Sequence, residues 1–230
     1  MKKVLIYSGA GVSPECLKNT YHLFKKFSDD VRYAFPWNVI DENWENSTDI
    51  FVIPGGEDED YHKDLGKIGC QKIREFVSAG GTYIGICAGA YFGARCVEFA
   101  KGTSMEVIGD RNLAFFNGTA VGPILKPYSY DDNSGACAAK IALQNSQEIY
   151  IYYNGGCAFT PEPTDKDVEI IGRYSEKENL PAILKCKFGK GQAILSGVHF
   201  EQQDSNNRQI QEKLNLTNCA LMDLVDKLLS

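Results

Sequence analysis

The sequence has 230 residues, a net charge of -6 and a pI near 5.2, with 43% hydrophobic and 23% charged residues. That length suits one large α/β domain or two small ones, and the balance is that of an ordinary soluble globule. An acidic chain without a basic run argues against a nucleic-acid partner.

Met1-Lys2-Lys3 followed by Val4-Leu5-Ile6-Tyr7 imitates a signal peptide, but the apolar stretch stops at Ser8-Gly9-Ala10-Gly11, too short for an h-region. Thr82 to Ala94 is apolar but ends at Arg95, short of the roughly twenty residues that span a bilayer. The expectation is a cytoplasmic protein without a membrane segment. The eight cysteines form no Cys-x-x-Cys pair, so neither a zinc site nor a thioredoxin-type motif is expected, and the thiols read as reduced. No cofactor and no metal are implied.

In chain order, Lys3–Ser8 is a continuous apolar run, as in a strand covered on both faces. Ser13-Pro14 is an N-cap and N1 pair that opens a helix to about Phe27. Val31–Phe35 and Asp49–Pro54 read as strands, the latter ended by Gly55-Gly56. A helix from about Lys67 to Ser78 directs Ile68, Ile73, Phe76 and Val77 to a core, and Ala79-Gly80-Gly81 stops it. Thr82–Ile86 is the next strand and runs into Cys87. This alternation predicts a doubly wound, flavodoxin-like α/β fold with a mainly parallel central sheet.

The second half reads mostly as strands, with extra antiparallel ones among them: Leu113–Phe116, Lys140–Leu143, Glu148–Tyr153, Val168–Tyr174, Ala182–Phe188 and Gln192–Val198. Long loops are expected near Pro123–Ala138 and Phe159–Lys166. A last helix, Asn218–Leu229, places Leu221, Leu224, Val225 and Leu228 on one face. No repeat, low-complexity tract or linker divides the chain, so residues 1–230 are read as a single domain.

The sharpest local signal is Gly85-Ile86-Cys87-Ala88-Gly89 at a strand-to-helix junction. A nucleophile elbow turns so tightly that the residues two positions either side must lack a bulky Cβ. It places the sulfur at a helix N-terminus, where free amides favour an anion, and aims the Ala88 N–H at a developing oxyanion. The alternative is a buried small residue between two packing glycines. A nucleophilic cysteine needs a base, and three histidines are available. His22 reads as a half-buried packing residue and His62 as part of a charged loop. His199 ends a strand with Glu201 two residues on, so both face one side and Glu201 can fix the imidazole tautomer. A chance glutamate beside a strand-end histidine is the competing explanation.

Pro54-Gly55-Gly56 offers a second oxyanion donor at Gly56, or is a plain turn. Tyr153-Asn154-Gly155-Gly156 offers a side-chain amide beside an open backbone, or again a turn.

Taken in order, these pieces resemble the class I glutamine amidotransferase superfamily, and within it the amidotransferase-like N-terminal domain of biotin protein ligases. The stretches that carry the resemblance are Val52-Ile53-Pro54-Gly55-Gly56 with Tyr61, Gly85-Ile86-Cys87-Ala88-Gly89-Ala90-Tyr91, Cys96-Val97-Glu98-Phe99 and Tyr152-Tyr153-Asn154-Gly155-Gly156. It implies Cys87, His199 and Glu201 as the catalytic set, Gly56 and Ala88 as the oxyanion hole, and Gly55, Tyr91, Tyr153 and Asn154 at the substrate. Glutaminases of the superfamily typically carry Gln where this chain has Tyr91, and a Gln-Phe-His-Pro-Glu motif where it has Gly197-Val198-His199-Phe200-Glu201. No Gly-Arg-Gly-Arg-type adenylate loop occurs. The expected function is therefore hydrolysis of a small amide or ester through a Cys87 thioester, neither an efficient free-standing glutaminase nor a biotin ligase. A glutaminase subunit feeding a separate protein partner, a synthase, is a less favoured reading. The alternative is a non-catalytic binding or regulatory module.

Overall fold

In a computed structural model describing residues 2–126, 128–129 and 132–229, the predicted strands of the first half all form, covered on both faces except at the edge strand Val31–Ala34. β1 (Val4–Tyr7), β3 (Ile50–Ile53) and β4 (Thr82–Ile86) are buried at every residue. Their alternate side chains enter two cores on opposite faces of one sheet. Leu5, Tyr7, Phe51, Ile53 and Tyr83 face one, and Val4, Ile6, Ile50, Val52 and Ile84 the other. That is why these strands read as continuous rather than alternating.

With β2 (Val31–Ala34) and β13 (Gly191–Ser196), these strands form a parallel array in the order β2-β1-β3-β4-β13. The same sheet continues antiparallel through β12 (Pro181–Phe188), β11 (Val168–Tyr174), β8 (Cys137–Leu143) and β9 (Glu148–Tyr153). A second sheet runs β10 (Ala158–Thr160), β7 (Phe116–Gly122), β5 (Ala94–Phe99), β6 (Val107–Asp110) and adds to the first core. The doubly wound α/β expectation holds and the second half does add antiparallel strands, but the Gln192–Val198 run becomes β13, which extends the parallel array beside β4.

Among the described residues, five α-helices and one short 3-10 turn (Trp44–Ser47) complete the fold. α1 (Pro14–Phe24) starts on the Ser13 cap, whose hydroxyl accepts from the Cys16 N–H, and stops three residues short of Phe27. α2 (Pro36–Asp41) follows β2. α3 (Asp58–Ala79) begins nine residues before Lys67, with Asp58, Glu59 and Asp60 in a first turn whose dipole they complement. Gly66, at φ 52° and ψ -156°, interrupts it. Ile73, Phe76 and Val77 face the core, but Ile68 is 65% exposed, since it lies on the opposite face from Leu65, Cys70 and Ile73. His62 therefore sits on this helix, not in a loop, and His22 is exposed rather than half-buried.

α4 (Ala88–Gly93) lasts six residues before the chain becomes β5. The Leu113–Phe116 stretch is not a strand until its last residue, because Leu113 and Phe115 are core side chains on irregular backbone, with Ala114 at φ 45°. β10 forms inside the expected Phe159–Lys166 loop by pairing with β7. α5 (Arg208–Leu229) is longer than Asn218–Leu229 and breaks at Thr217. Its second half buries Leu221, Leu224, Val225 and Leu228 as the pattern requires.

Candidate active site

Four connections leave the carboxyl edge of the parallel strands at one place, where open α/β sheets hold ligands. After β4, Cys87 adopts φ 50° and ψ -107° as the cap residue of α4. Its N–H donates to the Ser196 carbonyl at 2.8 Å, and its carbonyl accepts from Ala90 and Tyr91. A Cβ on Gly85 would lie 2.3 Å from the Gly89 carbonyl oxygen, and one on Gly89 would lie 2.1 Å from that of Ile53. The glycine spacing is thus a packing requirement of the elbow.

After β3, Gly56 forms a narrow antiparallel bridge with Val12. Ser13 N–H donates to the Gly55 carbonyl, and Glu57 N–H to that of Gly11. In such a pair the N–H of the bridging residue points away from its partner. Gly56 is held at φ 151°, and a Cβ there would lie 1.9 Å from the Gly11 carbonyl oxygen. Gly56 and Ala88 line one cavity with Cys87. Gly55 lies just beneath: a Cβ on it would lie 2.9 Å from His199 Cε1, 3.0 Å from Cys16 Sγ and 3.5 Å from Cys87 Cβ.

After β13, the His199 N–H donates to the Tyr152 carbonyl at 2.8 Å, which ties the ring to the end of β9. Its Nδ1 is 2.8 Å from Glu201 Oε1, and both residues are buried. Burial opposes charge on the imidazole, but Glu201, with Cys87 and Cys16 contributing, outweighs it and raises the His199 pKa well above the ordinary value. Nε2 is the ring nitrogen that Glu201 leaves open. The Cys87 thiol itself donates to the Asn154 carbonyl at 3.7 Å.

The substrate-side residues divide. Tyr91 lines the cavity with its ring, but its hydroxyl donates to the Gly155 carbonyl at 3.0 Å. Asn154 also lines it, its Nδ2 directed to Asn133 and its Oδ1 buried without a partner among the described residues. Tyr153 turns away. Its hydroxyl accepts from the Ile124 and Leu125 amides and donates to Gly156, so it fastens a loop, and Tyr152 lines the cavity instead.

Three features escaped the sequence reading. Cys16, in the first turn of α1, places its sulfur 4.0 Å from His199 Nδ1. Glu15, Glu57, Asp58 and Glu59 line the mouth of the cavity, and no Lys or Arg is among its lining residues. Arg111 lies behind Asp58, its Nε 2.6 Å from Asp58 Oδ2. Once strand pairing brings the ends of β1 and β3 to this edge, the first turns of the helices that follow them must face it, which no local pattern shows.

The whole chain, residues 2–227, matches the family model described as biotin-protein ligase, N terminal. The chain belongs to that family. A biotin–protein ligase of Schizosaccharomyces pombe is 35% identical over 236 residues, covering 98% of this chain and 37% of that protein. The family domain here thus spans little more than a third of that ligase. An uncharacterized protein of Chlamydia muridarum is 35% identical over 209 residues, covering 87% of this chain and 81% of its own length. Among solved structures, a glutamine amidotransferase aligns over 97% of this chain and 98% of its own at a TM-score of 0.57 and 14% identity. PurLQS from Thermotoga maritima aligns over 100% of both chains at 0.60 and 13%. The biotin-protein ligase N-terminal family therefore has the amidotransferase-like fold. Among the described residues no helix is long and apolar enough to cross a membrane.

Proposed function

We propose that the chain is a cysteine-dependent hydrolase of a small amide, acting through a thioester at Cys87. One observation carries this reading: Cys87 sits at a positive φ where a strand enters a helix, beside a buried imidazole whose Nδ1 is held 2.8 Å from Glu201. In this reading the Cys87 proton has already passed to His199 Nε2, and the sulfur then attacks the carbonyl carbon beside the imidazolium. The amides of Ala88 and Gly56 receive the oxyanion. The departing amine collects the proton from His199, and a water activated by the same ring then hydrolyses the thioester.

The cavity lining supports a neutral or cationic amide. The exposed carboxylates of Glu15, Glu57 and Glu59 line its mouth with no Lys or Arg among the described lining residues, and Asp58 is already paired with Arg111. A ligand carboxylate would therefore be desolvated beside like charge. Free glutamine carries such a carboxylate, and Tyr91 stands where glutaminases have Gln with its hydroxyl already engaged. Glutamine is expected to release no ammonia in a Cys87-dependent way, and biotin to give no adenylate. Strong Cys87-dependent glutaminase activity, compared with Cys87→Ala, would remove this substrate reading.

A second reading, a binding module that keeps the fold, is supported by the family domain's place within a longer ligase. Substoichiometric alkylation near neutral pH separates the two. Burial pushes the Cys70 and Cys186 thiols up to about 12 and raises that of Cys157 well above the ordinary value, leaving few competitors. Iodoacetamide that modifies Cys87 first, by peptide mapping, supports the hydrolase. Modification of the exposed Cys219 ahead of Cys87 supports the binding module.

A further inference from the structure

The hydrolytic scheme leaves one thiol of the cavity without a role. Cys16 Sγ is 4.0 Å from His199 Nδ1, and the same nitrogen is 2.8 Å from Glu201 Oε1. One donor atom from each of Cys16, His199 and Glu201 lies within 4.8 Å of the other two. Glu201 is 3% exposed, and its second oxygen, Oε2, is buried with no hydrogen-bond partner among the described residues. A buried carboxylate oxygen left unpaired is costly, and the carboxylate that carries it stands beside a thiol and an imidazole.

We propose that Cys16, His199 and Glu201 form a binding site for a thiophilic divalent cation of the zinc type. Thiolate with imidazole selects zinc-like ions over magnesium or calcium, which take oxygen donors. Tetrahedral bonds of about 2.3 Å to sulfur and about 2.0 Å to nitrogen and oxygen put S and N roughly 3.5 Å apart, and N and O roughly 3.3 Å apart. The observed separations of 4.0 and 2.8 Å differ from these by about half an ångström in opposite senses, within reach of side-chain rotation. Charge balances as well, since one thiolate and one carboxylate neutralise a divalent ion in a buried place.

On binding, Cys16 gives up its thiol proton and the His199 imidazolium its Nδ1 proton, both to solvent, while Nε2 keeps its own. A ring metallated at Nδ1 and protonated at Nε2 has no free nitrogen to act as a base. The occupied site would therefore hold the hydrolytic cycle off. That consequence rests on the function proposed above; the metal site does not.

The test is titration of the full chain with Co²⁺ under metal-free conditions and a non-thiol reductant. Thiolate-to-cobalt charge transfer in the near ultraviolet reports a sulfur ligand, and the intensity of the visible bands reports tetrahedral coordination. We expect one equivalent bound, with the charge-transfer band kept in Cys87→Ala and lost in Cys16→Ala. Cys16→Ser, closer in size, repeats the test should the alanine variant lose its circular dichroism. Glu201→Gln should weaken zinc, measured by competition with a chelating dye, by at least about tenfold. No band in the unaltered chain, a band surviving in either folded Cys16 variant, or a band that disappears with Cys87 overturns the site. Failure of the hydrolase reading is seen elsewhere, in the metal-free alkylation of Cys87.

Discussion

A residue at φ 50° such as Cys87 holds a backbone conformation that costs about 1–2 kcal/mol outside glycine, and it persists only because its surroundings leave no alternative. Gly85 and Gly89 are those surroundings. An alanine at either would drive its Cβ to within 2.3 Å or 2.1 Å of a backbone oxygen, with no flexible side chain to yield. Gly85→Ala and Gly89→Ala should each cost about 2–4 kcal/mol by urea unfolding, and a loss under about 0.5 kcal/mol would contradict the packing account. His199 makes a second test at this scale. Its pKa is raised in the folded chain, chiefly by Glu201 acting against burial. Its charged form therefore contributes stability that is fully present below the unfolded value of about 6.5 and is lost as pH rises through the higher folded value. The stability gap between the unaltered chain and His199→Gln should be widest in acid and narrow toward alkaline pH. A gap that widens with pH would reverse the assignment.

At the scale of elements, the cavity depends on where helices begin. α3 starts at Asp58, two residues after Gly56, and the Asp58–Arg111 pair fixes that start against the residue that follows β6. Both side chains are almost wholly buried, at 11% and 6% exposure. Burial raises the Asp58 pKa more than the adjacent guanidinium lowers it. Such a pair adds little net stability but is costly to break. Arg111 Nη2 already lacks a partner among the described residues, so Asp58→Asn would leave a buried guanidinium poorly compensated. The expected loss is about 3–5 kcal/mol, read from the denaturant midpoint. The joint replacement of Asp58 and Arg111 by apolar residues of similar size should recover most of it. Equal losses in the single and double variants would show that position, not charge, matters.

For the whole molecule, the net charge of -6 acts at the cavity mouth, where Glu15, Glu57 and Glu59 stand exposed around the sunken Cys87. A cleft lined by one sign of charge concentrates the opposite sign. A cationic methanethiosulfonate should modify Cys87 at least about tenfold faster than an anionic one of equal size, and the ratio should shrink as salt screens the rim. Peptide mapping separates Cys87 from Cys16. Equal rates, or a ratio indifferent to salt, would exclude a cation-selective mouth.

Local chemistry alone determined the parallel half of the fold and the elbow. Continuous apolar runs demand two covered faces, Ser13-Pro14 caps a helix, and Gly-x-Cys-x-Gly permits one tight turn. His199 and Glu201 were legible together because residues two apart on extended backbone share a side. Tertiary structure decided what depends on distant partners. Ile68 and Ile73 look alike in the sequence, yet only the packing of α3 makes one exposed and the other core. Tyr152 and Tyr153 are neighbours of one type, and the bridge from Tyr152 to His199 selects which lines the cavity. Cys16 carries no motif of its own. It enters the site because β1 and β4 both pair with β3, which carries the first βα turn to the same edge as the elbow. Pairing between strands far apart in sequence sets that proximity, and no local pattern encodes it.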